Sequence, residues 1–410
     1  MGKTIWIVNQ YASTPKVGMG GRHYYIAREL SKLGYKVYLI AGSYAHKMNS
    51  PPNVKDQYEI EKIDGINIVW VRVFRYLKST SKLRMLNWIV FSLKLVWLRR
   101  VIKDPPDFII CSSPSLVSFL GAYHLARYYK AILAFDVRDI WPLTLVRLGG
   151  FSTSNPFIQF LQKVEDIAYL KSDVVFSNLE NSYVHMESRG MDGKKFHWIP
   201  NGFCLAEVEN PSSLSKEVME KIPSKGFIVG YVGSLGVANC LDTLIDAAGS
   251  LRAHRTIKFV IVGEGSEKNR LIELVRSRSL SNCIFIDRIP KPQVQAMIRN
   301  FSCCYLGWTD SDLYDYGIGA NKITDYLYGG KPVINSYSGS SDPFVKYECG
   351  LNVKAQEVDS LVKAIETVFQ MSKMNRSKMG HKGRKAALDN YEYSNLASSI
   401  SKILEREKYV

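Results

Sequence analysis

Thr4-Ile5-Trp6-Ile7-Val8 runs into a glycine loop with Gly18, Gly20 and Gly21, then a helical pattern from about Tyr24 to Leu33, then Gly34 and Lys36-Val37-Tyr38-Leu39-Ile40. Two apolar runs joined by a helix are a βαβ unit, and the long crossover calls for a parallel sheet. Outward from this unit the alternation continues. Asp107-Phe108-Ile109-Ile110-Cys111, Ala131-Ile132-Leu133-Ala134-Phe135-Asp136 and Asp173-Val174-Val175-Phe176-Ser177 read as further strands, and His197-Trp198-Ile199-Pro200-Asn201-Gly202 closes the half. After a polar stretch from about Ala206 to Lys225, read as a linker, the pattern restarts with Phe227-Ile228-Val229-Gly230-Tyr231-Val232-Gly233 and Lys258-Phe259-Val260-Ile261-Val262-Gly263. Ile284-Phe285-Ile286, Cys303-Cys304-Tyr305-Leu306 and Pro332-Val333-Ile334 extend it.

The expected fold class is therefore α/β, two doubly wound Rossmann-like domains in series, facing across a cleft where ligands meet the carboxyl ends of the strands. At 410 residues the chain is too long for one ordinary core. Residues 1–205 are expected as the first domain, 206–390 as the second, and 391–410 as a helix crossing back to the first. The N-terminal apolar run is shorter than a signal-peptide core and reads as a buried first strand. Seven cysteines without a C-x-x-C pair read as reduced core residues, which implies a cytoplasmic protein.

The net charge of +16 asks for an anionic partner. Its distribution narrows the choice. From Gly65 to Lys103 there is no acid, while nine Lys and Arg residues lie there. Inside that stretch residues 85–98 are apolar apart from Asn87, Ser92 and Lys94, with Trp88 and Trp97 near the ends and Arg99 and Arg100 following. This is too short to span a bilayer, which takes about 20 apolar residues. It reads either as an interfacial helix on an anionic inner leaflet or as a core helix with charged ends in water. No recognition-helix, zinc-finger or aromatic single-strand motif points to nucleic acid.

One segment carries the chemistry: Tyr316-Gly317-Ile318-Gly319-Ala320-Asn321-Lys322-Ile323-Thr324-Asp325, ending in Gly329-Gly330-Lys331-Pro332. Small residues let the backbone approach a ligand, and the helix that follows offers free N–H groups and the positive end of its dipole to an anion. Lys322 adds a charge. Asp325, three residues on along the same face, is placed to accept from a ribose diol. An ordinary helix before a strand is the plainer alternative, since Gly329-Gly330-Lys331-Pro332 is helix-stop chemistry. Asp310-Ser311-Asp312 fits a metal-binding D-x-D, a common tripeptide that belongs with a different fold.

In order and spacing these pieces resemble the retaining glycosyltransferases of family 4, which have the GT-B fold, and among them the bacterial O-antigen and capsule enzymes. The resemblance runs through Gly20-Gly21, Asp136-Val137-Arg138-Asp139-Ile140-Trp141-Pro142, Ile199-Pro200-Asn201-Gly202, Gly230-Tyr231-Val232-Gly233-Ser234-Leu235-Gly236, Ile261-Val262-Gly263-Glu264-Gly265 and the Asn321-Lys322 segment. It implies a donor site at Gly20, Gly21, Gly233, Ser234, Gly236, Asn239, Gly263, Arg288, Gly319, Ala320, Asn321, Lys322 and Asp325. An acceptor site is implied at Arg22, Tyr24 and Asn201. The chain departs from the family at five positions. Gly317 stands where many members have the first Glu of an E-x7-E pair, and Asp325 where they have the second. Ser234 and Asn239 replace the usual Arg and Lys, and Arg138-Asp139 replaces His-Asp.

The resemblance implies metal-independent transfer with no cofactor. Charge growing on the departing phosphate falls to Lys322, Arg138 and the helix start. Asp139 either orients Arg138 or the acceptor, or caps the turn before Trp141-Pro142. Arg22 either meets an acceptor diphosphate or is an exposed helix residue. Relatives of this kind are described as N-acetyl-L-fucosamine transferases, so the implied partners are a nucleotide-sugar donor, a polyprenyl-diphosphate-linked acceptor and an anionic membrane surface. A nucleotide-sugar epimerase of the same fold and a non-catalytic basic scaffold remain as the other readings.

Overall fold

A computed structural model describes residues 2–18, 21–46, 48–77 and 81–408. The chain divides into two compact units, Met1–Pro200 with Tyr393–Val410, and Asn201–Glu392.

Unit 1 is built on eight strands: β1 (Thr4–Val8), β2 (Lys36–Gly42), β3 (Tyr58–Ile63), β4 (Ile66–Val71), β5 (Phe108–Ser112), β6 (Ile132–Val137), β7 (Val174–Ser177) and β8 (Phe196–Trp198). Their order is β3-β4-β2-β1-β5-β6-β7-β8. All neighbours are parallel except β3 and β4. Helices cover the sheet, so its inner strands are buried throughout and read as unbroken apolar runs. The register sets Ile5 beside Val37 and Phe108. Trp6, Phe91, Phe119, Phe135 and Tyr169 fill the core on one face.

The β3–β4 hairpin is one element that the sequence reading missed. Its signal was Asp64-Gly65, both at positive φ, 47° and 81°, the backbone of a tight two-residue hairpin turn. The alternating Glu59, Glu61 and Lys62 of β3 hid the strand, and they suit an exposed sheet edge that must not pair further.

The helix Lys82–Leu95, capped by Ser81 Oγ on the Leu83 N–H, continues as a 3-10 turn over Val96–Arg100. One face buries Asn87, Trp88, Phe91, Ser92 and Leu95, and the other exposes Leu86, Ile89 and Leu93. Trp88 is a correction to the membrane-facing set. It is 4% exposed, its indole N–H donates to Tyr11 Oη at 2.6 Å, and its ring lies against Trp141 at 5.6 Å. Trp97 is 49% exposed, with the Arg100 guanidinium 4.4 Å over its ring, and Arg99 lies 5.3 Å from the Tyr128 ring. No helix among the described residues is long and apolar enough to cross a membrane.

The last helix, Tyr393–Glu407, belongs to unit 1 and packs on Arg22–Lys32. Tyr393 stacks on Tyr25 at 5.0 Å, and Tyr35 donates to Glu405 at 2.8 Å.

Unit 2 has β9 (Phe227–Val232), β10 (Ile257–Val262), β11 (Cys283–Ile286), β12 (Cys303–Gly307), β13 (Val333–Ser336) and β14 (Gly350–Val353). Their order, β11-β10-β9-β12-β13-β14, is fully parallel and is the doubly wound order in which the chain reverses direction between its first and fourth strands. Ligands gather beyond that switch point, here β9 and β12. The stretch expected as a linker is fastened to unit 2 instead. The Ser212 N–H donates to the Pro292 carbonyl at 3.0 Å, and Gln293 Nε2 donates to the Ser213 carbonyl at 2.8 Å. Six of the seven cysteines are buried, Cys283 is half-buried, and none is in a disulfide.

Candidate active site

The loop after β12 turns at Gly317, whose φ of 106° suits glycine, and enters the helix Asn321–Gly329. Ala320 is the N-cap and has no side-chain acceptor; the Ile323 N–H donates to the Ala320 carbonyl at 3.1 Å, and the N–H groups before it are left for water or a ligand. Lys322 sits in that first turn, half-buried. Its ammonium donates to Tyr231 Oη at 2.8 Å and to Asn239 Oδ1, and lies 4.7 Å over the Tyr231 ring. Tyr231 in turn donates to the Ser234 carbonyl at 2.6 Å, and Asn239 Nδ2 donates to the same carbonyl at 3.0 Å. All these partners are neutral. Burial without a counter-charge draws the Lys322 pKa down to about 7.

Space for this lysine depends on glycine. A Cβ on Gly233 would stand 2.7 Å from Lys322 Cδ, and one on Gly263, at φ 151°, would stand 1.8 Å from the Gly233 carbonyl oxygen. Asn239 thus holds Lys322 directly, and the Ser234 carbonyl holds both Asn239 and Tyr231 in place.

Beside it lies a cavity of about 330 Å3, lined by Gly233, Ser234, Gly263, Arg288, Asn321, Lys322 and Asp325 among others. Seven of the expected donor residues come together here. Gly236, Asn239, Gly319 and Ala320 stand behind this wall or in the loop leading to it. Gly20 lies outside the described residues, and Gly21 is the N-cap of Arg22–Lys32 in unit 1. Asn201 belongs to unit 2, where its Nδ2 donates to the Gly319 carbonyl and so braces the loop before the helix.

Asp325 is 8% exposed, and both its oxygens accept from Lys291 Nζ, at 2.5 and 2.6 Å. Lys291 also lines the cavity, and the sequence reading missed it. It sits in the 3-10 turn Lys291–Gln293 after β11, far from Asp325 in the chain, and no local pattern marks it. Asp310-Ser311-Asp312 proves to be a turn start, with Ser311 Oγ accepting from the Leu313 N–H at 3.3 Å.

In unit 1 the corresponding positions are closed by charge. Arg22 is 4% exposed, a correction to its place in the acceptor set: one guanidinium N–H donates to the Pro200 carbonyl, another to Asp136 Oδ1 at 3.2 Å. Ser112 Oγ donates to Asp136 Oδ2 at 2.8 Å and lies 2.8 Å from His23 Nε2, which is 3.6 Å from the same carboxylate oxygen. Burial alone would raise the Asp136 carboxyl, but Arg22, His23 and Arg138 hold it well below the usual range. Burial lowers the His23 pKa, with the neighbouring arginines adding to the effect. Tyr24 is also buried, and its hydroxyl donates to Asp64 in the hairpin turn, so it too is structural. Arg138 is half-buried, with burial and Arg22 lowering its pKa, and Asp139 is exposed at the turn before Trp141-Pro142.

Comparison with known proteins gives a family match over part of the chain and a shared fold over all of it. The profile for glycosyl transferases group 1 matches residues 215–386, the stretch that contains the cavity. The putative colanic acid biosynthesis glycosyl transferase WcaI of Escherichia coli (strain K12) is 25% identical over 242 residues, 56% of this chain. The matched region spans 58% of that relative's length. Among solved structures, the sucrose-phosphate synthase of Thermosynechococcus elongatus superposes with a TM-score of 0.75 at 16% identity, covering 100% of this chain and 99% of its own. Anabaena HepE, solved with UDP and glucose, gives 0.65 at 16% identity, covering 99% of this chain and 100% of its own. Residues 215–386 therefore match the glycosyl transferases group 1 model, and the chain has the GT-B fold of these solved structures.

Proposed function

We propose that this protein is a retaining glycosyltransferase that uses a UDP-sugar donor, takes a polyprenyl-diphosphate-linked sugar as acceptor, and serves O-antigen or capsular polysaccharide synthesis on the cytoplasmic face of the inner membrane. The observation that carries this reading is Lys322: a cation held by neutral partners at a helix start, on the wall of a cavity that also holds Asp325. A diphosphate is the ligand that fits such a place, since it meets both the charge and the free N–H groups. The reaction needs no metal in this scheme. The bond from the sugar to the departing phosphate breaks through an oxocarbenium-like state, its electron pair passing to the phosphate oxygen that Lys322 stabilises. The acceptor hydroxyl adds from the same face, its proton passing to the departing phosphate oxygen. Arg138 is retained as the second cation, and Asp139 as the group that orients it or the acceptor.

The UDP preference is supported by the Anabaena structure with UDP and glucose, and the pathway by the colanic acid name of the E. coli relative. UDP-N-acetyl-L-fucosamine leads the donors to be tried. Calorimetry with UDP and GDP is the test. UDP is expected to bind and GDP to bind more weakly; if neither binds at high micromolar concentration, the enzyme reading falls. A donor screen with a synthetic lipid-diphosphate sugar then fixes the sugar.

A further inference from the structure

We propose that unit 1 carries a second anion site, in which Arg72, Arg75 and Lys94 take the phosphate of an anionic membrane phospholipid beside the exposed face of the helix Lys82–Leu95. The proposal rests on the membrane-side placement above and gives it a definite pocket.

A cavity of about 690 Å3 opens where β2 and β4 end, bounded by Ser43, Val73 and Phe74 on the sheet side and by Val90 and Lys94 on the helix. Its lining includes the three cations and, among the described residues, no carboxylate. Each cation has a neutral partner. Lys94 Nζ donates to Gln57 Oε1 at 2.5 Å and to the Arg72 carbonyl at 2.7 Å, Arg72 donates to the Lys55 carbonyl at 2.9 Å, and Arg75 lies 5.9 Å from the Tyr44 ring. Three positive charges therefore converge uncompensated. Burial, and then the charge of Arg72, lowers the Lys94 pKa, a cost that a bound anion relieves.

The pocket is fastened before any ligand arrives. The Asn87 amide accepts from the Phe74 N–H at 2.9 Å and donates to the Phe74 carbonyl at 2.8 Å, as a paired strand would. Tyr58 Oη donates to the Lys94 carbonyl at 2.8 Å. These bonds hold the helix against the strand exit, so little ordering remains to be done on binding.

The same helix says which anion. Leu86, Ile89 and Leu93 share its outer face, Leu93 being 64% exposed, and Trp97 continues the stripe into Arg99 and Arg100. An inorganic phosphate satisfies the cations and leaves this face in water. A bilayer phospholipid satisfies both, with its phosphate in the pocket and the stripe among headgroups and upper acyl chains. The absence of any acid from Gly65 to Lys103 removes the repulsion that an anionic leaflet would otherwise exert.

The test is flotation of the full chain with phosphatidylcholine vesicles, with and without phosphatidylglycerol. The R72Q/R75Q/K94Q triple is compared with K216Q/K225Q/K378Q, which removes the same charge from exposed positions in unit 2. The pocket triple is expected to weaken binding to phosphatidylglycerol vesicles about a hundredfold. The control is expected to stay within about threefold, its charges lying outside the pocket. R72Q/R75Q alters only exposed side chains and leaves Lys94 and Asn87 in place; a loss of about tenfold from this pair supports the site even if the triple misfolds. Calorimetric UDP binding reports the donor site separately, so a failure here is distinguishable from a failure of the enzyme reading. Equal losses from both triples, or equal binding to phosphatidylcholine alone, overturn the proposal. Loss seen only with vesicles carrying a polyprenyl diphosphate also overturns it, because the pocket then belongs to the acceptor.

Discussion

Both units put a basic residue in the first turn of a helix beyond a glycine-bearing loop, Arg22 in unit 1 and Lys322 in unit 2, yet the two do opposite work. Arg22 meets the buried carboxylate of Asp136 and a backbone carbonyl. Lys322 meets a phenol and an amide. A carboxylate within reach turns a helix-start cation into a structural lock, while neutral partners leave the charge available for a diphosphate. Fold position alone does not make a phosphate site; the charge of the nearest partner decides.

The largest effect expected from this contrast is at the lock. Asp136→Asn keeps the shape but leaves Arg22 buried without its counter-charge, and should cost unit 1 about 3–5 kcal/mol in urea denaturation. A loss below about 1 kcal/mol would mean that Arg22 is not locked and would dissolve the comparison. Lys322→Ala is the converse. We expect turnover to fall about 10²- to 10³-fold, as when a single transition-state donor is removed. Melting of unit 2 should hold or rise, because an ammonium with no counter-charge leaves a desolvated place. A variant with normal turnover would return the helix start to an ordinary helix.

The pH dependence sharpens the contrast further. In the free protein Lys322 loses its proton near pH 7, whereas a bound diphosphate would keep it charged, so binding takes up a proton above that pH. UDP affinity should therefore weaken as pH rises above 7, by up to about tenfold per unit, and the slope should vanish in Lys322→Ala. A pH-independent affinity in the parent protein would show that the amine does not meet the phosphates. The smallest effect belongs to Lys291→Ala. It frees both oxygens of Asp325, and uridine, which has no phosphate, should bind up to about fivefold tighter by competition, in keeping with one ion pair whose lysine end is exposed. Weaker uridine binding would assign Lys291, not Asp325, to the nucleoside.

The sequence by itself determined the architecture and half of the chemistry. Apolar runs of parallel-strand length, separated by helices and restarting after Lys225, dictate two doubly wound sheets, because hydrophobic patterning is local. The uncapped helix start with Lys322 in its first turn was legible at Gly319 to Asp325 for the same reason. Where the rule is not local the reading went astray. Trp88 lies in an apolar helix of either use, and only its packing on Trp141 and Tyr11 assigns it to the core. Arg22 looks like any helix-surface arginine until β6 brings Asp136 beside it. Lys291 reaches Asp325, and Arg72 and Arg75 line one cavity with Lys94, across segments that no spacing rule connects. Tertiary structure alone decided which charges are neutralised within the protein and which are left for a ligand, since charges interact through space and not along the chain.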